Sequence, residues 1–354
     1  MLSDVFEWQM PVWRQLVGDI KNLPHAMLIG GPEGLGKLLF AHALAARLLC
    51  EKRNDAEDGE AFACGACSSC AWLASGNHPD FRLIQPNDEE DGNDESEETP
   101  TASSGRKAGA GPIRVDQIRA LTDFVYVGSH RHGKRVVIIS PAESMNPAAT
   151  NSILKVLEEP PSGVGFIMIS NSWRRLIPTL RSRCRKIIFG RPDSLLADQW
   201  LSGQGVKDTA QLLRLAGGAP LLAAQWAEQG RLDSYHKVIE VLAHEPVDPV
   251  AMATKWSNLL KAEQGFGLPQ LVEAVQKWLV DLVLLKTAGG LRYHDAWRDA
   301  IENLAARASA SALTACYNDL LRIRAVARHP LNTQLFLEDM ATRYLRSLTP
   351  VKTS

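Results

Sequence analysis

The chain has no long hydrophobic run, no excess of charge of either sign and few aromatic residues. No apolar stretch approaches the roughly 20 residues that a membrane-spanning helix needs, so no membrane role is expected. Lys and Arg number 39 against 40 Asp and Glu, a net charge of −1. A protein that coats nucleic acid needs a strongly basic field, so that class is set aside, although a local basic patch stays open. The N-terminus, Met1 to Trp8, lacks a basic stretch followed by an apolar one and is not read as a secretory signal. The chain is therefore expected in the cytoplasm, where thiols stay reduced. Its 6 cysteines then point to metal or redox chemistry rather than to disulfides.

The most telling absence is one hydroxyl. Gly31-Pro32-Glu33-Gly34-Leu35-Gly36-Lys37 has the form of a phosphate-binding loop, with Gly31, Gly34, Gly36 and Lys37 as candidate nucleotide-binding residues. The backbone N–H groups of such a loop cradle phosphates and its Lys reaches the outer ones. The Ser or Thr that normally follows holds Mg²⁺. Here that residue is Leu38, which has no oxygen to give. The second element of a hydrolytic site, a strand ending in Asp or Asp-Glu, is missing too. The run Val136–Ile139 ends in Ser140-Pro141-Ala142-Glu143. Glu143 lies two residues beyond the catalytic position and is read as a solvated turn residue. ATP or ADP binding stays open, but hydrolysis is not expected.

What is present has an ordinary soluble composition, 45% apolar and 22% charged, and 354 residues suffice for two or three domains. His25–Gly30 reads as a buried strand entering the glycine loop, and a helix follows from Lys37 through Leu48. Further strands are expected at 81–84, 135–139, 166–169 and 186–189, separated by helical segments, which gives an α/β domain with a parallel sheet. Residues 87–111 are acidic and then rich in Ser, Thr, Gly and Ala. They are read as a disordered surface insertion. After Arg191-Pro192 only helices are expected: a small lid-like unit first, then a bundle. The stripe Leu271, Val275, Trp278, Leu279, Leu282 and Leu285 is read as bundle core.

Cys50, Cys64, Cys67 and Cys70 form a compact constellation. Four thiolates in a reducing compartment suit tetrahedral Zn²⁺, and with no open position the zinc is expected to be structural. Cys184 and Cys316 stand apart and are read as packing residues. A zinc-dependent nucleic-acid module is disfavoured, because no aromatics interleave with the knuckle and the net charge is near zero.

Three polar groups remain. Leu180-Arg181-Ser182-Arg183-Cys184-Arg185 reads either as a solvated basic rim or as the home of an arginine finger, since guanidinium suits the charge spreading over a γ-phosphate. His130 to Arg135 is a basic turn, solvated by default. Glu158 and Glu159 end a helix that starts at Asn146-Pro147, where an anion opposes the helix dipole. That placement points to an interaction or site role rather than to helix stability.

The glycine loop, the cysteine knuckle after its helix, Leu154-Lys155-Val156-Leu157-Glu158-Glu159-Pro160-Pro161 and Ser182-Arg183-Cys184 together resemble the clamp-loader branch of the AAA+ proteins. The resemblance extends to Asn332–Glu338, which looks like the ending of that family's collar domain. It implies an AAA+ domain over 1–190, a helical lid over 191–243 and an all-α collar over 244–354. The hydrolysing gamma/tau subunit of that family carries Thr at the place of Leu38, Asp-Glu at the place of Ser140-Pro141 and a lid arginine at the place of Pro220. The departures here imply a non-hydrolysing stator, with Arg183 acting in trans on a neighbouring gamma/tau subunit's ATP. Partners implied are gamma/tau and delta subunits, with the sliding clamp and primed DNA reached through the complex. The alternative is an active clamp-loader ATPase, for which Glu143 would have to replace the missing metal ligand.

Overall fold

A computed structural model describes residues 4–52, 61–86, 111–126, 134–244, 248–263, 265–324, 327 and 332–349. Residues 87–110 of the acidic insertion and positions 130–133 of the basic turn lie outside the described residues. The chain divides into two compact units, Met1–Leu196 and Ala197–Ser354.

The first unit is α/β. In chain order it comprises α1 (Met10–Gly18), β1 (Ala26–Gly30), α2 (Lys37–Leu49), α3 (Ser68–Ala74), β2 (Phe81–Ile84) and α4 (Val115–Tyr126). It continues with β3 (Arg135–Ile139), α5 (Pro147–Glu158), β4 (Val164–Ser170), α6 (Pro178–Ser182) and β5 (Arg185–Ile188). The strands form one parallel sheet in the order β2-β3-β4-β1-β5. All five anticipated strands are present. β4 begins two residues before its expected start, because Val164 and Gly165 pair with Arg135 and Val136 of β3. Every residue of β1 and β3 is buried. Strands covered on both faces read as unbroken apolar runs rather than alternating ones, which is why sequence alone located them. Ala26 and Leu28 of β1 share an apolar core with Val137, Ile139, Phe166 and Met168, and Ile118, Leu121, Ile153 and Leu157 close that core from α4 and α5.

The topology brings three strand tips together. β1 lies beside β4 and β4 beside β3, so Gly31, Ser140 and Asn171 leave the same edge of the sheet, where open α/β sheets bind ligands.

The second unit is all helical: α7 (Ser194–Gly203), α8 (Thr209–Leu215), α9 (Pro220–Glu228), α10 (Arg231–Ala243), α11 (Pro249–Ala262), α12 (Leu268–Ala288), α13 (Arg298–Arg307), α14 (Ala310–Ile323) and α15 (Thr333–Leu348). Its first helix opens three residues before the unit's own boundary. The anticipated stripe on α12 is core. Leu271, Val275, Trp278, Leu279 and Leu282 are fully buried, and Leu285 packs at the margin. Trp278 Nε1 donates to Tyr344 Oη at 2.8 Å, and Tyr344 Oη donates to the Leu242 carbonyl at 3.2 Å. Helices on both sides of position 243 therefore contribute to one apolar cluster. No helix among the described residues is long and apolar enough to cross a membrane.

Candidate functional site

The glycine loop joins β1 to α2 with Gly31, Gly34 and Gly36 at φ of 149°, 77° and 80°. Side chains are disfavoured there on backbone grounds alone. Space excludes them as well. A Cβ on Gly31 would stand 2.5 Å from the Phe189 carbonyl, and one on Gly36 would stand 2.5 Å from the Phe6 ring. The N-terminal segment thus lies directly on the loop. Trp8 Nε1 and Gln9 Nε2 both donate to the Leu35 carbonyl, at 3.2 and 2.8 Å, and Gln9 Oε1 accepts from Phe6 N at 3.1 Å. Sequence reasoning missed this brace. Its contacts run 26 or 27 residues along the chain, and no local pattern marks them.

Lys37 is folded back. Its Nζ donates to the Pro32 carbonyl at 2.5 Å, and the side chain is 4% exposed. Burial lowers its pKa to about 8, against the opposing pull of Glu33 and Glu143. Glu143 is not the solvated turn residue anticipated. One carboxylate oxygen accepts from Asn171 N at 2.8 Å, and the other is buried with no hydrogen-bond partner among the described residues. The turn Ala142–Ser144 after β3 carries it toward the tip of β4. At the tip of β3 itself stand Ser140 and Pro141, with no carboxylate.

Of the basic turn, Lys134 and Arg135 are described, and for these two the solvated reading does not hold. Arg135 is 3% exposed and pairs with Asp80 at 3.2 Å, its guanidinium lying over the Phe124 ring. Lys134 Nζ donates to the Ile20 carbonyl at 3.2 Å. Both described cations of the turn are engaged within the protein.

Arg183 caps the five-residue helix α6. The whole Ser-Arg-Cys motif bonds back to carbonyls of that helix, the last of which lack full intrahelical pairing; the Arg183 N–H itself donates to the Leu180 carbonyl at 3.3 Å. Ser182 Oγ and Arg183 Nη1 donate to the Thr179 carbonyl at 3.0 and 2.9 Å, and Cys184 Sγ donates to the Leu180 carbonyl at 3.2 Å. Cys184 is buried in the apolar core of the first unit, a packing residue as anticipated, and burial pushes its thiol up to about 12. Burial does the same to Cys316, up to about 11. The second guanidinium nitrogen of Arg183 pairs with Glu158 at the end of α5. An anion at a helix C-terminus costs about 0.3–1 kcal/mol, and an exposed ion pair returns about 0–1 kcal/mol. Stability therefore gives no reason for placing Glu158 there.

The four cysteines converge. Cys50 caps α2, Cys67 caps α3, and all four sulfurs lie within 4.8 Å of one another. Cys50 and Cys67 Sγ are 4.0 Å apart, and Cys64 and Cys70 Sγ are 3.9 Å apart. Tetrahedral zinc with Zn–S bonds of about 2.3 Å needs sulfurs about 3.8 Å apart, so the donor set fits. Backbone N–H groups already point at sulfur: Cys64 N to Cys50 at 3.3 Å and Cys70 N to Cys67 at 3.4 Å. Such bonds favour thiolate. At Cys67 burial is outweighed by the N–H groups of Cys70 and Glu51 and by the neighbouring thiols, which carry it to about 6, whereas burial pushes Cys50 and Cys70 up. Ser69 anchors the knuckle, donating to the Leu49 carbonyl at 2.7 Å and meeting His78 Nε2 at 2.8 Å.

Comparison with known proteins agrees with this layout. Residues 8–193 match the family model described as DNA polymerase III, delta subunit. A DNA polymerase III subunit delta′ from Pseudomonas aeruginosa is 30% identical, with 97% of this chain and 98% of that protein aligned. The subunit delta′ of Escherichia coli is 26% identical over 98% of this chain and 96% of its own length. A solved gamma subunit-related protein of DNA polymerase III from Thermotoga maritima overlays 96% of this chain and 99% of its own, at 15% identity and a TM-score of 0.45, too loose a likeness to bear on function. With its parallel sheet, glycine loop and Ser-Arg-Cys corner, the chain belongs to the DNA polymerase III subunit delta′ family, in the clamp-loader branch of the AAA+ proteins.

Proposed function

We propose that the chain is the non-hydrolysing stator of the bacterial DNA polymerase III clamp loader, a cytoplasmic complex that places the sliding clamp on primed DNA. It stands beside a gamma/tau ATPase, presents Arg183 to that neighbour's ATP, and contacts the delta subunit. Residues 191–243 serve as lid and 244–354 as collar.

One observation carries this reading: a single unit holds a disabled phosphate site and a braced arginine. Leu38 offers no hydroxyl and Ser140-Pro141 no carboxylate to a metal, whereas the Arg183 guanidinium is held at two of its nitrogens on the surface. A fixed planar cation stabilises charge spreading over a γ-phosphate, but it has no such phosphate to act on within its own degenerate site. ATP or ADP resting on the loop amides and Lys37 is compatible with this role; turnover is not. Cys50, Cys64, Cys67 and Cys70 hold one structural Zn²⁺, which contributes folding free energy to the knuckle.

The test is Arg183→Ala in the complex reconstituted with gamma/tau and delta subunits. The complex should assemble while the neighbour's ATPase falls. A finger contributes about 10³–10⁵ in rate at its own site, diluted in the total by the other active sites. Lys should rescue poorly, since it lacks the planar fork. Arg181→Ala and Arg185→Ala change the charge equally; if all three variants behave alike, the corner is a diffuse basic rim and the finger reading fails. The competing reading, an active ATPase, rests on Glu143 reaching toward the loop. Steady-state ATP hydrolysis by the isolated chain, abolished by Glu143→Gln, would establish it.

A further inference from the structure

Glu158 is the one acidic residue joined to Arg183 among the described residues, and the contact spans 25 positions from the end of α5 to the cap of α6. The other contacts of the Ser-Arg-Cys motif are local, within three or four residues. Thr179 alone holds one nitrogen, Nη1, and leaves the guanidinium plane free to rotate about that bond. A second acceptor on Nη2 fixes the plane. Nε–H and one N–H on each terminal nitrogen then remain to face a ligand, since guanidinium has five donors. Glu158 is also well held in its turn. The helix that carries it is capped by Asn146 Oδ1, which accepts from Ala149 N at 2.7 Å, and is seated on the sheet through Ile153, Val156 and Leu157. The carboxylate therefore transmits the position of a rigid element to the arginine.

We propose that Glu158 is a positioning residue for Arg183: it sets the plane of the guanidinium before the neighbouring subunit's phosphate arrives. This rests on the reading of Arg183 as a finger in trans. The carboxylate touches no reacting atom. It acts by holding the fork, and an uncharged oxygen acceptor of the same reach does the same work.

The experiment measures ATPase in the complex reconstituted with gamma/tau and delta subunits, in parallel with thermal melting and assembly. Glu158→Ala should lower kcat at the neighbouring site about tenfold, between no effect and the roughly 10²-fold that a 1 Å misplacement can cost, with KM for ATP unchanged. Glu158→Gln, whose amide oxygen accepts from the same nitrogen, should restore most of the rate. Glu159→Ala, with the same change of charge one residue on, should leave it untouched. In an Arg183→Ala background, Glu158→Ala should cause no further loss, because residues acting through one contact are not additive. Unchanged or faster turnover with Glu158→Ala, no recovery with Gln, or an equal loss in the Arg183→Ala background overturns the assignment. The two readings fail separately. If Arg183→Ala itself leaves turnover intact, the finger falls. If Arg183→Ala slows turnover and Glu158→Ala does not, only the role of Glu158 falls.

Discussion

Lys37 is ammonium in a place that disfavours ammonium. Burial lowers its pKa from 10.5 to about 8, so the folded chain releases this proton more readily than the unfolded one. Between about pH 8 and 10.5 the unfolded state binds more protons, and stability from this group rises with pH. Below about pH 8 its full cost is present, at most roughly 3 kcal/mol. Lys37→Met keeps the length and removes the charge, and Pro32 is an exposed residue, so water can replace the lost donor. The variant should melt higher than the parent at pH 7, and the gap should narrow toward pH 10. Thermal melts at the two pH values check this; an equal loss of stability at both would mean that the bond to Pro32 outweighs the burial cost.

At the scale of elements, local chemistry was readable and long-range contacts were not. Val136–Ile139 and Phe166–Ile169 announce buried parallel strands, and Asn146-Pro147 announces a helix start that the structure caps as expected. Four thiols in a short span announced their own convergence. The fold of Glu143 onto the tip of β4 and the brace of Phe6, Trp8 and Gln9 over the glycine loop depend on tertiary neighbours with no sequence period to betray them. Glu158 lies between these cases. Its misfit with the helix dipole was visible, but its partner was not. The acidic insertion illustrates how elements bound what a loop does. Gln117 Nε2 of α4 donates to the Gln85 carbonyl just after β2 at 2.9 Å, so the chain entering the insertion and the chain leaving it are already joined. Replacing residues 88–110 with a short Gly-Ser linker should leave assembly intact and raise stability by about 1 kcal/mol, since each halving of loop length recovers roughly 0.6 kcal/mol of closure entropy. Melting and reconstitution measure both. A large loss of either would make the acidic run a partner-binding segment.

Across the whole molecule, the two units have separate apolar cores, one around the sheet and one around α12. The cysteine cluster belongs to the first unit alone: Cys50 ends α2, and Cys67 both offers a sulfur and caps α3. Metal binding to such a cluster is folding free energy for the elements it ties together, here α2, α3 and the approach to β2 through Ser69 and His78. The purified chain should carry one tightly bound zinc. Cys67→Ser should release it, removing a metal ligand while the serine hydroxyl can still cap α3. Hydrogen exchange followed by mass spectrometry should then rise over the end of α2, over α3 and over β2, while α12 and α15 keep their protection, because opening free energies are local to cooperative units. Metal analysis that finds no zinc in protein prepared without chelators would remove the metal from this account. A uniform rise in exchange across both units would show instead that the cluster stabilises the chain as one cooperative body.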